Sequence, residues 1–372
     1  MTIPRSRQTY GDLEVDKRLT EVLSQVGSDT NDDLIRAMLV SALDMDAANV
    51  DRLELKIASQ SLVEMLNAWS VFSPYREAAK VSIFGSARTK PEEPDYQLAA
   101  RFGQEMTRRG WMAITGAGPG IMTAGIEGAG REHSFGVNIA LPFEQEANEA
   151  IHGDAKLATF KYFFTRKLTF MKESDAFALL PGGYGTMDET FELLTLIQTG
   201  KSFPTPIVLL DHEDSTYWSR WVEFITEELL GRGMINPSDL NLFHHTHDPA
   251  EAADYLCSFY TCYHSIRFVG KRLVIRLTSP LTDGAIDALN AEFSDILASG
   301  RIERAETTKA ELRDDDHPAL PRLRLHFNER SYSGLVSMIW RINELSGLSQ
   351  SQQATPGLIH DLAPDPSEDA ED

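Results

Sequence analysis

The sequence predicts an α/β protein in which a doubly wound parallel sheet stands between an N-terminal helical extension and a small C-terminal α+β module. Three observations carry this expectation. From Lys80 to about Asp211, short β-rich apolar runs alternate with glycine turns and helical stretches. Before them, Leu13 to about Val71 places apolar residues at helical spacing and uses little glycine. After "YTCYHSIRFVG" the order changes to strand, helix, strand, strand, helix.

The N-terminal extension, 1–75, includes "LIRAMLVSALDM" and "LVEMLNAWSVF" and reads as two to four helices that form a cap or an assembly surface. The core, 76–255, takes its strands from "KVSIFGSART", "WMAITGAGPGIMTAGIEGA", "SFGVNIALP", "DAFALLPGGYGTMDETFELLTLIQ" and "PTPIVLLD". Strands separated by helical segments imply parallel pairing with helices on both faces, a Rossmann-like layer. In the C-terminal module, 262–347, "RLVIRLTS" is a strand and "TDGAIDALNAEFSDILASG" a helix closed by Gly300. "IERAETTKAEL" and "LPRLRLHFN" follow as two strands, and "YSGLVSMIWRINELSG" as a last helix. That order suggests a ferredoxin-like or ACT-like sandwich. Tyr263 to Arg267, "YHSIR", reads as a packed hinge, or as an effector-anion site built from His264, Ser265 and Arg267. The tail, 348–372, is acidic, rich in Ser, Pro and Ala, and expected to be disordered.

Composition narrows the function. A chain of 372 residues, 42% hydrophobic and 24% charged, is an ordinary globular protein with room for about two or three domains. A formal charge of −21 argues against a nucleic-acid partner or an anionic membrane surface, both of which need a basic face. It does not exclude a small anion held in a local pocket. Two cysteines, Cys257 and Cys262, imply no disulfide framework and fit a reducing cytoplasm. With His264 they have a loose ligand-like spacing, but without a second pair a partly buried linker is the simpler reading. No apolar stretch approaches the ~18–20 residues of a membrane span, and the start lacks the apolar core of a signal peptide. The expected location is cytoplasmic. The helical extension fits a homo-oligomer, a dimer or higher.

Chemistry concentrates where the predicted strands end. Three glycine turns converge there: Gly85-Ser86 after "VSIF", Gly116-Ala117-Gly118-Pro119-Gly120 after "WMAIT", and Gly182-Gly183-Tyr184-Gly185-Thr186 after "FALLP". Glycines let backbone N–H groups approach a ligand, and a helix N-terminus favours negative charge, so such turns suit a phosphate. Thr186 adds a hydroxyl. Asp188 and Glu189 fall in the first turn of the following helix. They can cap that helix, or serve a neutral or cationic part of the ligand such as a ribose. Upstream, "FKYFFTRKLTFMKESDAF" brings Arg166 and Lys167 into an apolar-aromatic helix, where they are either solvated charges or a basic pair at the phosphate end. The aromatic stripe from Tyr162 to Phe164 reads as core, with one ring free to stack on a base.

These residues carry a resemblance. "PGGYGTMDE", Pro181 to Glu189, matches the PGGxGTxxE signature of the LOG family, phosphoribohydrolases often labelled lysine decarboxylases. "FTRKLTF", "TGAGPGIMTAG", "FGSAR" and "SFGVNIALPFEQEAN" resemble other segments of the family in the same order, across about residues 76–240. The helical extension and the C-terminal module make the layout similar to the larger bacterial pyrimidine/purine nucleotide 5′-monophosphate nucleosidases. The resemblance implies hydrolysis of the N-glycosidic bond of nucleoside 5′-monophosphates, AMP among them, to free base and ribose 5-phosphate. It implies a catalytic pair of Arg166 and Glu189, a phosphate cradle of Gly182, Gly183, Gly185 and Thr186, no cofactor, no metal, and a nucleotide effector on the flanking module. Ala117 stands where relatives carry glycine and Thr123 where many carry an acid, which leaves the preferred base open; cytokinin activation does not follow. A non-catalytic nucleotide sensor, or a carrier of molybdenum cofactor, shares the glycine loop but has no need of Arg166 with Glu189. No pyridoxal-binding lysine context supports a decarboxylase.

Overall fold

The computed structural model describes residues 6–27, 31–141 and 147–348. The chain divides into two compact units, one up to Met65 and one from Leu66 onward. In the first, α1 (Leu13–Val26) starts on Asp12, whose carboxylate accepts from the N–H groups of Glu14 and Val15, and stops at Gly27 in the left-handed conformation. Arg36 of α2 (Asp32–Ala47) pairs with Asp16 of α1 at 3.0 Å. The third helix, α3 (Arg52–Phe72), runs across the division.

The second unit opens with β1 (Lys80–Phe84), α4 (Pro94–Arg108), β2 (Met112–Thr115), α5 (Ile121–Ala129), β3 (Ser134–Ile139) and β4 (Leu157–Phe160). It continues with α6 (Phe163–Glu173), β5 (Ala176–Leu179), α7 (Tyr184–Gln198), β6 (Ile207–Leu210), α8 (Tyr217–Phe224), β7 (Phe243–Thr246) and α9 (Pro249–Ser258). The seven strands form one parallel sheet in the order β4-β3-β2-β1-β5-β6-β7. Every residue of β1, β2, β3, β5 and β6 is buried, as helices on both faces require, and for that reason these strands read as apolar runs without alternation. The α/β core is therefore as expected, with two strands more than the sequence reading names. Both are edge strands: "LATF" is only half buried, and "FHHT" is mostly polar.

This order fixes where a ligand can sit. The chain steps outward from β1 to β4, then returns to lay β5 on the other side of β1, so the direction of winding reverses between β1 and β5. The loops after those strands diverge and leave a crevice at their carboxyl ends.

Four further strands make a second, antiparallel sheet: β8 (Tyr263–Val269), β9 (Arg272–Leu277), β10 (Leu297–Ala305) and β11 (Arg322–Phe327), ordered β10-β11-β9-β8. Helices α10 (Asp283–Glu292), α11 (Lys309–Arg313) and α12 (Tyr332–Leu345) complete the module. Strands β9 and β10, joined by α10, flank β11 in the split arrangement of a ferredoxin-like sandwich. The fourth strand, β8, comes from before the unit rather than after it. The hinge reading of Tyr263 to Arg267 is thus corrected, because those residues lie in β8. The helix expected to close at Gly300 ends at Glu292, and Gly300 instead takes a left-handed φ of 76° where the β10–β11 register shifts. The second half of "IERAETTKAEL" is helical, started by a reciprocal Thr308–Glu311 cap. The tail expected from 348 lies, past Leu348, outside the described residues.

Candidate active site

The crevice is a cleft of about 910 Å³, within the roughly 300–1,000 Å³ usual for small-molecule sites. It gathers Gly85 and Ser86 from the turn after β1, Gly116 from the turn after β2, and Arg166 from α6. Gly182, Gly183, Gly185, Thr186, Asp188 and Glu189 complete it from the turn after β5 and the start of α7. Ten residues singled out from the sequence therefore line one cavity.

The glycine turn after β5 is held by the protein at one end and open at the other. A side chain at Gly182 would collide with Thr186, and the Gly182 carbonyl accepts from Tyr217 Oη at 2.7 Å. Gly183 and Gly185 differ from it. Neither has a positive φ, and a Cβ built on either meets no protein atom within 4 Å. No feature of the fold asks for glycine there; the remaining reason is the close approach of whatever occupies the cleft. Gly183 is also the residue before α7 and offers no side chain to cap it, so the first N–H groups of that 15-residue helix face the cleft without a side-chain acceptor.

Glu189 lies on the buried stripe of α7, in helical register with Thr186, Thr190, Leu193 and Ile197. It is 5% exposed, and its Oε2 is buried with no hydrogen-bond partner among the described residues. Burial pushes the carboxyl up to about 7, against the opposing charges of Lys167 and Arg166. An unsatisfied buried carboxylate oxygen in a cleft is a feature that a folded chain retains at a cost.

Arg166 faces it without a direct ion pair. Its Nε donates to the Val137 carbonyl of β3 at 2.8 Å, and its guanidinium lies 5.2 Å from the centre of the Phe170 ring. Burial lowers its pKa, and Glu189 acts in the other direction. Gly116 makes the room: a Cβ there would collide with Arg166 Nη2 and with Met122 Sδ, which ties the β2 turn to the position of the guanidinium.

Three of the residues singled out stand outside the cleft lining. Gly120, with φ 68°, lets the β2 turn pass directly over the backbone of Ser86 and Ala87, and the Ile121 N–H donates to the Ser86 carbonyl at 3.0 Å. The Gly118 carbonyl accepts from Asn148 Nδ2 at 2.8 Å and Thr123 Oγ1 at 3.1 Å, which is the task of Thr123. Lys167 bridges Asp188 at 2.9 Å and Glu192 at 2.5 Å. Burial alone would lower its pKa, but those two carboxylates raise it. Its ammonium acts on the site through Glu189.

The cleft also includes Glu93 and Asp95, which sequence reasoning passes over, and Arg88, Thr89, Phe163 and Tyr184, which it places only within longer segments. Phe163, Phe164 and Tyr184 are 52%, 55% and 96% exposed, so the aromatic stripe is not core at Phe163 or Phe164. Asp95 gave no signal, because it sits at a helix start that looks like ordinary surface. The alternative anion site fails on its charges. Arg267 pairs with Asp314 at 2.7 Å and Asp316 at 2.9 Å, so carboxylates stand where an anion would bind. Cys257 and Cys262 are buried free thiols, pushed by burial up to about 12 and about 11.

The family model described as "possible lysine decarboxylase" matches residues 119–256, from the β2 turn through most of α9. Cytokinin riboside 5′-monophosphate phosphoribohydrolase LOG7 of Arabidopsis thaliana is 30% identical over 164 residues, covering 42% of this chain and 71% of LOG7. The chain belongs to the LOG family. LOGL5 of Oryza sativa subsp. japonica, a probable cytokinin riboside 5′-monophosphate phosphoribohydrolase, is 32% identical over 166 residues, 42% of this chain and 63% of LOGL5. Among solved structures, the molybdenum cofactor carrier protein of Chlamydomonas reinhardtii matches at 18% identity over 47% of this chain and 93% of that chain, with a TM-score of 0.33. The LOG match contains Arg166, the turn after β5 and Glu189, whereas Gly85 and Ser86 precede the matched segment of the family model. Among the described residues no helix is long and apolar enough to cross a membrane.

Proposed function

We propose that the protein hydrolyses the N-glycosidic bond of nucleoside 5′-monophosphates, releasing base and ribose 5-phosphate. The observation that carries this reading is the buried carboxyl of Glu189, with Oε2 unpartnered, one helical turn from an uncapped helix N-terminus on an open glycine turn. The 5′-phosphate binds the first N–H groups of α7 and the Thr186 hydroxyl. The ribose then lies against Glu189, whose carboxylate accepts from its hydroxyls. As the bond to the base breaks, its electron pair leaves with the base nitrogen and the sugar gains oxocarbenium character, which the carboxylate stabilises. A water adds to the anomeric carbon, its oxygen staying on the sugar and its proton balancing the departing base. Arg166, fixed by Val137 and packed on Phe170, orients the ligand and offers positive charge to the leaving side. Phe163 and Tyr184 at the cleft wall supply rings for the base.

LOG7 and LOGL5 carry the same reaction class in their names. The test is a panel of AMP, GMP, IMP, CMP, UMP and their 2′-deoxy forms, followed by chromatography for free base and ribose 5-phosphate. Base release from at least one monophosphate, and from no unphosphorylated nucleoside, is expected. Tight binding without cleavage across the panel would replace the hydrolase with a nucleotide carrier or sensor.

A further inference from the structure

We infer that Asp211, His245 and His247 form a binding site for a borderline first-row divalent cation, Zn²⁺ in the first instance, that braces one wall of the cleft. This goes beyond the hydrolase reading and does not depend on it. Asp211 stands just past the carboxyl end of β6, and His245 and His247 on and just past β7. The two strands are paired in parallel with Leu209 opposite His245 and Leu210 opposite Thr246. Two residues apart at the end of β7, both imidazoles reach the same carboxylate.

The geometry is that of a ligand set. His245 Nε2 lies 2.8 Å and His247 Nδ1 3.0 Å from the same oxygen, Asp211 Oδ1. The three ligand atoms all fall within 4.8 Å of one another. Ligands about 2.0–2.2 Å from a tetrahedral zinc are separated by about 3.4 Å, so each imidazole nitrogen need draw back from Asp211 Oδ1 by only about half an ångström to admit an ion. The Asp211 side chain is fully buried, and its second oxygen accepts from the Trp218 N–H at 3.3 Å, an outer contact that fixes the carboxylate. Although burial pushes its pKa up, hydrogen bonds from His245, Ser215 and the Trp218 amide hold Asp211 below the usual carboxylate range, in the ionised form a cation needs. The imidazoles are 23% and 39% exposed, which leaves the outer side open for water as the remaining ligand. Two imidazoles and one carboxylate select zinc-like ions over Mg²⁺ or Ca²⁺, which prefer all-oxygen sets.

The position gives the site a role. His212, next to Asp211, holds Asp95 of the cleft through both its backbone N–H at 3.1 Å and its ring Nδ1 at 2.8 Å. Tyr217, next to Trp218, holds the Gly182 carbonyl of the glycine turn. An ion on Asp211, whose carboxylate also accepts from the Trp218 N–H, would therefore brace the base of the 211–218 segment, from which His212 and Tyr217 grip the cleft. It supplies rigidity and touches no reacting atom.

The test is calorimetric titration of the full chain with Zn²⁺ in the presence of millimolar Mg²⁺, together with the visible spectrum after Co²⁺ addition. One Zn²⁺ per chain, undisturbed by Mg²⁺, and Co²⁺ d–d bands are expected. Binding should weaken at least tenfold in both His245→Ala and His247→Ala. His247→Gln serves if an alanine variant fails to fold. Absence of Zn²⁺ binding in the wild type, or undiminished binding in the histidine variants, would overturn the site and leave an Asp–His hydrogen-bond cluster.

Discussion

Replacing Glu189 by glutamine should make the protein more stable and less active at the same pH, and the size of the gain can be worked out. The carboxyl titrates near 7 in the folded chain against an ordinary value of 4.5, because burial penalises the charged form. The folded state therefore binds a proton that the unfolded chain has already released. The stabilising contribution is fully present below 4.5 and is lost as pH rises through about 7. The gap of about 2.5 pH units, at about 1.4 kcal/mol per unit, corresponds to roughly 3.5 kcal/mol once both states are ionised. Glutamine keeps the shape and cannot ionise. The stability difference, Glu189→Gln minus wild type, should widen by about 2–3 kcal/mol between pH 5 and pH 8.5. Denaturant titration followed by tryptophan fluorescence measures it, since all five tryptophans lie in the unit that contains Glu189. If the two stability profiles run parallel across that range, the carboxyl is not buried without compensation, and the catalytic reading of Oε2 loses its basis.

The other expectations follow from the same contacts. In the proposed mechanism catalysis needs the Glu189 carboxylate, so kcat/KM should rise with unit slope through about pH 7 to a plateau, and in Lys167→Ala that limb should move to higher pH because Lys167 is the stronger of the two cations opposing the shift. Gly185→Ala should bind monophosphates far more weakly while thermal stability stays equal or improves by up to about 1 kcal/mol, since its Cβ meets no protein atom and alanine favours the helix. Gly116→Ala should reproduce the defect of Arg166→Ala, a loss of about 10²–10³-fold in kcat, because the added methyl takes the space of the guanidinium. A Gly116→Ala enzyme with normal turnover would refute the link between the β2 turn and Arg166.

Much of the site was legible in the sequence because glycine turns leave a local mark. A run such as "FALLPGGYGT" must end a buried strand and start a helix within six residues, and once Thr186 accounts for Gly182, little besides a close ligand explains Gly183 and Gly185. Glu189 was legible as a candidate but not as a buried group; that followed only from the α7 stripe of Thr186, Thr190, Leu193 and Ile197. Lys167 was misjudged in reach, since its partners on α7 are close in space and 21 and 25 residues away in sequence. Edge strands were the weakest signal. "FHHT" pairs with β6 on one side only and can be polar, so it hid both a strand and the Asp211 cluster. Gly300 misled because glycine serves equally as a helix stop and at a shift of β register. The capping box from Thr308 to Glu311 was readable by spacing alone and marks a helix that a strand reading overlooks.

The most direct measurement places wild type and Glu189→Gln side by side with the one monophosphate that the panel shows to be cleaved fastest, recording binding by calorimetry and base release by chromatography. Retained binding with base release reduced by at least 10²-fold in the variant is the expected result. Base release at the wild-type rate in Glu189→Gln would contradict the assignment of this carboxylate to the chemistry.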